Sequence, residues 1–362
     1  MSHSFHQDNV NSHITANDLL TVQSGHIGTT CVVPKELQIA NCHAVIITRP
    51  IVSKGNSNFI AYYFNSPLGK KRLSSLHVGS TIKHINTKDL RKFDIPLPPL
   101  PEQNKIAEIL TSVDETIEST RKVIEQTKKV KQGLLQELLT KGIGNPKLKK
   151  TEIGIIPEAW TVVKLIDYSS DSKNSFANGP FGSDLLSSEL TDNGVPVIYI
   201  RDISENNYSW ISNMYVTEEK ADSLMFCNIF ENDVIITKVG DPPAIAALYQ
   251  DKTRSIMTQD VIRIRPKEDV SPMFLVNLLN SKFAKDEVKR IEIKGTRKRV
   301  SLTEYKKIRL PLPTHKEQKI IANILNSFDK QLEATENELI RLEKVKRGLM
   351  QDLLTGTVRV KV

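Results

Sequence analysis

The chain has no apolar run long enough to cross a bilayer and no secretory signal at its start, so neither a membrane-spanning nor an exported protein is expected. Its three cysteines, Cys31, Cys42 and Cys227, are scattered and form no CxxC pair. That argues against a structural zinc site and a disulfide framework, and for a reducing, cytoplasmic setting. Also missing are a His/Glu metal spacing, a P-loop, a nucleophile elbow and a strand–GxG–helix unit for S-adenosylmethionine. Catalytic and metal-ligating residues are accordingly expected to be absent. Hydrophobic content is 39%, a little low for a globular protein, as two long charged helices would make it. A length of 362 residues allows two or three domains, and a net charge of +8 suits a polyanionic partner without proving one.

What the chain does have is a copy of itself. Residues 95–140 read IPLPPLPEQNKIAEILTSVDETIESTRKVIEQTKKVKQGLLQELLT, and residues 310–355 read LPLPTHKEQKIIANILNSFDKQLEATENELIRLEKVKRGLMQDLLT. The offset is 215 without a gap, and Pro96/Pro311, Glu102/Glu317, Gln103/Gln318, Asp114/Asp329, Gly133/Gly348 and Leu139/Leu354 are identical pairs. Each copy opens on prolines, with Pro101 where a first helical turn tolerates one, and Thr314 and Glu317 have capping-box spacing. Apolar residues then recur three or four apart: Ile106, Leu110, Val113, Ile117 and Ile124, and in the second copy Ile321, Leu325, Phe328, Leu332, Leu339 and Leu342. Such seams predict two helices of about 58 Å each, paired as a coiled coil because neither seam can stay in water.

The repeat extends upstream of the helices. At the same offset Asp18, Thr21 and Gly25 align with Asp233, Ile236 and Gly240, and Asn65-Ser66 with Asn280-Ser281. With a one-residue slip, Val45, Arg49 and Pro50 align with Val261, Arg265 and Pro266. The unit is therefore a mixed α/β module followed by a long helix, present twice. Strands are expected at 19–22, 44–48, 197–201 and 234–237, and a helix at 59–74. Residues 1–16, with His3, His6 and His13, read as a loose terminus, 142–150 as a linker, and the tail from Gly356 as a short strand. Residues 151–216 have no counterpart, so the first module lacks its front part.

Several stretches are candidates for chemistry. Lys294-Gly295-Thr296-Arg297-Lys298-Arg299 is the most basic, and a glycine-bearing turn with four cations suits phosphate contact and guanine readout, or is a solvated loop. Its counterpart, from Gly79 through Thr81 and Lys83 to His84, is less basic. Lys238-Val239-Gly240-Asp241-Pro242-Pro243 resembles an amino-methyltransferase loop, but Ala244 follows where an aromatic would stack on a flipped base, so it reads as a turn after a strand. Asp286 with Glu292-Ile293-Lys294 weakly resembles a metal nuclease triplet that the first module does not repeat. Gly179-Pro180-Phe181-Gly182-Ser183 reads as a tight turn with an exposed aromatic, suited to ligand contact or to packing.

Taken together, the tandem IPLPPLPEQ…LLQELLTKGI and LPLPTHKEQ…LMQDLLTG resemble the two conserved helical regions of the specificity subunit of type I restriction-modification systems. SGHIGTTCVVP, GPFGSDLL, MTQDVIRIRP and KGTRKRVSLTEYKKIRLPLP resemble pieces of that family's target recognition domains. The resemblance implies an α+β fold: an incomplete first recognition domain (1–97), a central helical region (98–145), a second recognition domain (146–313) and a C-terminal helical region (314–362), the two long helices forming an antiparallel coiled coil. It also implies a non-catalytic subunit. Each recognition domain would read half of a split double-stranded DNA site. The helices would dock two copies of an adenine methyltransferase subunit, and a restriction/translocase subunit would join. S-adenosylmethionine, ATP and Mg²⁺ would belong to those partners and none to this chain. DNA contact would fall to residues 294–299, Lys238, Gly240, Gly179, Phe181, Ser183, Gly25, His26, Thr81, Lys83 and His84. The truncation leaves a self-dimer as a further arrangement. A coiled-coil scaffold without DNA contact, or a methyltransferase or nuclease in its own right, are the alternatives.

Overall fold

The structure is a computed structural model that describes residues 3–37, 40–76, 84–144 and 146–361. It divides into two compact units, residues 1–125 with 333–362, and residues 126–332. The long helices are Leu100–Lys141 and His315–Thr355, and each has residues in both units.

In the first unit the sheet has three antiparallel strands in the order Thr30–Val32, Leu19–Val22, Val45–Thr48. A helical pair covers it. The expected single helix over 59–74 is two, Ser57–Asn65 and Pro67–Ser74, because Ser66 is extended and Pro67 restarts the chain. The side chain of Ser66 caps the second of them, accepting from the Gly69 N–H at 3.0 Å. Leu19, Ile46, Phe59, Tyr63, Phe64 and Leu73 form one core with Ile106 and Leu110 from the start of the first long helix and Met350, Leu353 and Leu354 from the end of the second. The helices are antiparallel here, with Asp114 paired to Lys346 and Arg121 to Glu343. The expected loose terminus is ordered instead. His13–Ile14 pairs with Ala40–Asn41, and the His6 and His13 rings stack 3.7 Å apart.

The second unit is larger. One antiparallel sheet runs Ala246–Leu248, Val234–Thr237, Val261–Ile264, Phe176–Asn178. A second is built around Val195–Ile198, which pairs in parallel with Ser255–Met257. The expected strand over 197–201 stops early, because Asp202 turns the chain. Its buried carboxylate accepts from the backbone N–H of Tyr199, Ile211 and Ser212. The helices Pro272–Asn280 and Lys282–Ile291 repeat the broken pair of the first unit, with Ser281 as the cap. Leu138 and Leu139 at the end of the first long helix pack with Ile321 and Leu325 at the start of the second, and Lys131 pairs with Asp329, again antiparallel. Within the expected linker, Leu148–Thr151 is a strand paired with Gly154–Pro157. The tail forms no strand among its described residues; Arg359 instead donates to both carboxylate oxygens of Glu102 at 2.6 Å.

The duplication is carried by contacts as well as by letters. Gln103 is 1% exposed, accepts from the Asn56 N–H and donates to the Lys54 and Pro98 carbonyls. Gln318, equally buried, accepts from the Ser271 N–H and donates to the Asp269 and Pro313 carbonyls. Asp18–Arg49 is matched by Asp233–Arg265. Asn65 brackets the backbone of Thr30 as Asn280 brackets that of Ala246. The half-formed capping box is a difference: the Thr314 hydroxyl accepts from the Glu317 N–H, while the Glu317 carboxylate takes the Trp160 indole N–H.

Ile117 is 5% exposed and lies in the stretch flanked by Asp114 and Arg121, whereas Leu332 is only half-buried. Ile117→Asp is therefore expected to cost on the order of 3 kcal/mol or more, and Leu332→Asp less. Chemical denaturation of the two variants checks the order, and equal losses would contradict it.

Candidate nucleic-acid interface

Three turns meet at one end of the second unit's first sheet. Register sets this end: Thr237 lies opposite Val261, and Ile262 opposite Asn178. The chain leaves Asn178 into Gly179–Ser183, leaves Thr237 into Lys238–Ala244, and enters Val261 from a turn at Thr258–Asp260. Backbone bonds tie these turns together. The Gly179 N–H donates to the Val261 carbonyl at 3.1 Å and the Lys238 N–H to that of Asp260 at 2.7 Å. A Cβ at Gly179 would lie 2.0 Å from the Thr258 carbonyl oxygen, so only glycine fits the approach.

The basic stretch joins the same end. Glu292–Ile293 and Arg299–Val300 form an antiparallel ladder, so residues 294–298 are a hairpin tip. Gly240 N–H donates to the Lys298 carbonyl, Val300 N–H to the Lys238 carbonyl, and Val239 bridges Arg299. Lys294, Gly295, Thr296, Arg297 and Arg299 are exposed. Lys298 is different: its ammonium meets Asp241 at 2.7 Å, which raises its pKa above the usual lysine value. Among the described residues no carboxylate pairs with Lys294, Arg297 or Arg299. Phe181, in the turn that follows Asn178 at the same end of the sheet, is 67% exposed, with Gly182 and Ser183 also open to solvent.

The first unit repeats the arrangement with less charge. Ser24 bridges His84, one repeat before Val239 and Arg299, and the Ile85 N–H donates to the Gln23 carbonyl at 2.9 Å. Gly25, with φ +77, and His26 form the exposed turn next to it. Thr81 and Lys83 lie outside the described residues. The seam residues separate into two kinds. Ile106, Leu110, Ile117, Ile124, Ile321 and Leu325 are buried, and Val113, Phe328, Leu332, Leu339 and Leu342 are half-buried. Asp286, from the nuclease-like triplet, is held low by Lys282 and Lys289 on its own helix. Among the described residues no three His, Cys, Asp or Glu side chains stand close enough to hold a metal ion, and no described helix is long and apolar enough to cross a membrane.

Sequence reading missed Asp241 as the partner of Lys298, because 57 residues separate them. It also missed Thr258 and Asp260, which anchor two of the turns. Asp202 left no signal, since its partners are three backbone N–H groups and the hydroxyl of Ser212, ten residues on.

The sequence pattern of one family, described as type I restriction modification DNA specificity domain, matches residues 3–129 and 181–344. The chain belongs to this specificity family. It is 32% identical over 308 residues to the type I restriction enzyme MjaVIII specificity subunit of Methanocaldococcus jannaschii, covering 83% of this chain and 70% of that one. To the EcoBI specificity subunit of Escherichia coli it is 25% identical, covering 76% and 60% of the respective chains. The solved S subunit of a type I restriction-modification system from M. genitalium shares the fold, with TM-score 0.58 at 18% identity over 94% of this chain and 84% of that one. These relatives are named specificity subunits rather than methyltransferases or nucleases, which sets aside the enzyme alternative and leaves a non-catalytic α+β member of the family.

Because Gly179 alone admits the Thr258 carbonyl, Gly179→Ala is expected to lower stability by about 1–3 kcal/mol, while Gly182→Ala, which points into open space, is neutral. Melting temperatures of both variants test this. Equal values would mean that the turn is not anchored by the close approach.

Proposed function

We propose that this chain is a DNA-reading subunit: its modules contact the halves of a split duplex site, and its paired helices set the distance between them and dock methyltransferase subunits, two copies per chain, and a restriction/translocase subunit. The methyl donor, ATP and Mg²⁺ then belong to those partners, and the chain works in the cytoplasm. The observation that carries this reading is the hairpin at 292–300, whose exposed Lys294, Arg297 and Arg299 have no carboxylate partner among the described residues and which backbone bonds tie to the sheet end. A turn that needed only to be solvated would have no reason to be tied to Lys238 and Gly240 by backbone bonds. The same tie at Ser24 and His84 supports a second, less basic reader in the first module. A scaffold without DNA contact would need neither.

The charges are not equivalent. Asp241 already neutralises Lys298, so Lys294, Arg297 and Arg299 are the groups left for phosphate or base edges. If Arg297 meets a phosphate, Arg297→Ala weakens binding to all sequences and lowers the salt slope by about one. If it reads a base, the loss is about 1–3 kcal/mol at one position of the site. Lys298→Ala changes little, and Asp241→Asn steepens the salt dependence. Titration of labelled duplex with the purified chain at several salt concentrations reads all three. An affinity insensitive to salt and to these variants would favour the scaffold. Co-expression with the methyltransferase partner and mapping of methylated adenines then gives the site. A motif fixed on one side, or a palindrome from two chains paired through their second modules, is expected from the unequal modules. A fully specified asymmetric bipartite motif would show the first module reading as well as the second.

A further inference from the structure

The arginines of the second unit fall into three groups. Arg254, Arg265, Arg290 and Arg309 are each paired with a carboxylate. Arg263 is buried and donates to the carbonyls of Asn174 and Asn228. Arg201, Arg297 and Arg299 remain, exposed and with no carboxylate at ion-pair distance among the described residues.

Arg297 and Arg299 belong to the basic hairpin. Arg201 does not, yet its segment starts from the same sheet end. The strand Val195–Ile198 runs parallel to Ser255–Met257, and the Ile198 carbonyl accepts both the backbone N–H and the hydroxyl of Thr258, at 3.0 and 3.1 Å. Thr258 is the residue whose carbonyl Gly179 approaches. From there the chain passes through one 3-10 turn, Ile200–Asp202, and reaches Glu205, which lines one cleft with Asp241, Pro242 and Lys298. Residues 199–205 thus link the Thr258 turn to the 238–244 turn.

Arg201 is held along its length. Its guanidinium carbon lies 4.8 Å from the centre of the Tyr199 ring. Its Nε donates to the Ser212 hydroxyl at 2.7 Å, and that hydroxyl donates to the Asp202 carboxylate at 2.8 Å. Asp202 is 2% exposed and is itself fixed by three backbone N–H groups. Both terminal nitrogens of Arg201 are without an acceptor among the described residues. Ordering an exposed arginine costs side-chain entropy. Here a ring, a hydroxyl and a buried carboxylate offset that cost and fix the direction of the two terminal amino groups.

We propose that Arg201 is a third reading arginine of this module, its terminal fork bidentate to O6 and N7 of a guanine in the major groove, with Tyr199, Ser212 and Asp202 as its positioning residues. A phosphate can be met by a flexible point charge and needs no fixed direction. Two acceptors on one base edge need a planar fork aimed at them. This role rests on the DNA reading proposed above and extends it to the module's other sheet.

The test incubates the full-length chain with a pool of duplexes of random sequence and sequences the bound fraction. Arg201→Lys keeps the charge but not the fork. It should relax a guanine preference about tenfold or more at one position, with the salt slope unchanged. Tyr199→Leu should relax the same position, and Tyr199→Phe, which keeps the ring, should not. Preferences at the other positions should persist in all three variants, which an unfolded module would not allow. A base preference in Arg201→Lys equal to that of the unaltered chain would overturn the proposal. So would relaxation at every position, the mark of a purely structural role. Arg201→Ala lowering the salt slope by about one without changing any base preference would overturn it too, and make Arg201 a phosphate contact. Failure of the underlying DNA reading looks different: the unaltered chain would select no sequence and show no salt dependence, and Arg201 would lose its role with it.

Discussion

Each long helix is fixed to its module by one buried carboxamide. Gln103 and Gln318 sit in the first turn of their helices and satisfy three backbone groups each, one N–H and two carbonyls. The N–H belongs to the N-cap residue of the module's own helix, Asn56 or Ser271. Only a side chain with a donor and an acceptor on one carbon can do this: glutamate would lose the donors, and leucine would leave three buried polar groups unmet, at about 1–3 kcal/mol each. The bond network fixes the helix start relative to the module, and the apolar contacts of Ile106, Leu110, Ile321 and Leu325 follow from that placement.

A rigid anchor matters because the candidate interface is made of turns. The 179–183 turn, the 238–244 turn and the 292–300 hairpin owe their positions to the sheet end and to backbone bonds, with one side-chain link, Lys298 to Asp241, between the last two. Side chains at the tips are therefore free to differ. The same scaffold bridge joins Val239 to Arg299 in one module and Ser24 to His84 in the other. The bridge is kept while the bridged residue changes from arginine to histidine.

Much of the architecture was legible from the sequence because the chain states it twice. The strands 19–22 and 234–237, both long helices and the need for them to pair follow from pattern and offset, and the antiparallel sense from the family resemblance. What failed was local. Ser66-Pro67 breaks a helix whose apolar spacing runs straight through, and the proline was the available signal. The stop after Ile198 comes from a carboxylate gathering backbone N–H groups, which no periodicity records. Residues 3–14 are polar yet ordered, because Asn41 and the stacked histidines supply contacts that composition does not show. At the candidate interface the basic stretch was visible as letters. Its hairpin form, its attachment to the 238–240 turn and the loss of one cation to Asp241 were not, since each depends on residues tens of positions away.

The division into units has a consequence for synthesis. Residues 126–332 are contiguous, so every contact of the second unit becomes available as soon as that stretch has left the ribosome. The first unit is not contiguous: its core needs Met350, Leu353 and Leu354, and Glu102 waits for Arg359. A sheet made early must therefore stand without the helix end that covers its core until the last thirty or so residues emerge. At about 5–20 residues per second the 200-odd intervening residues impose a delay of roughly 10–40 seconds. The module translated first is the one completed last, and during that interval its apolar surface is the exposed part of the nascent chain.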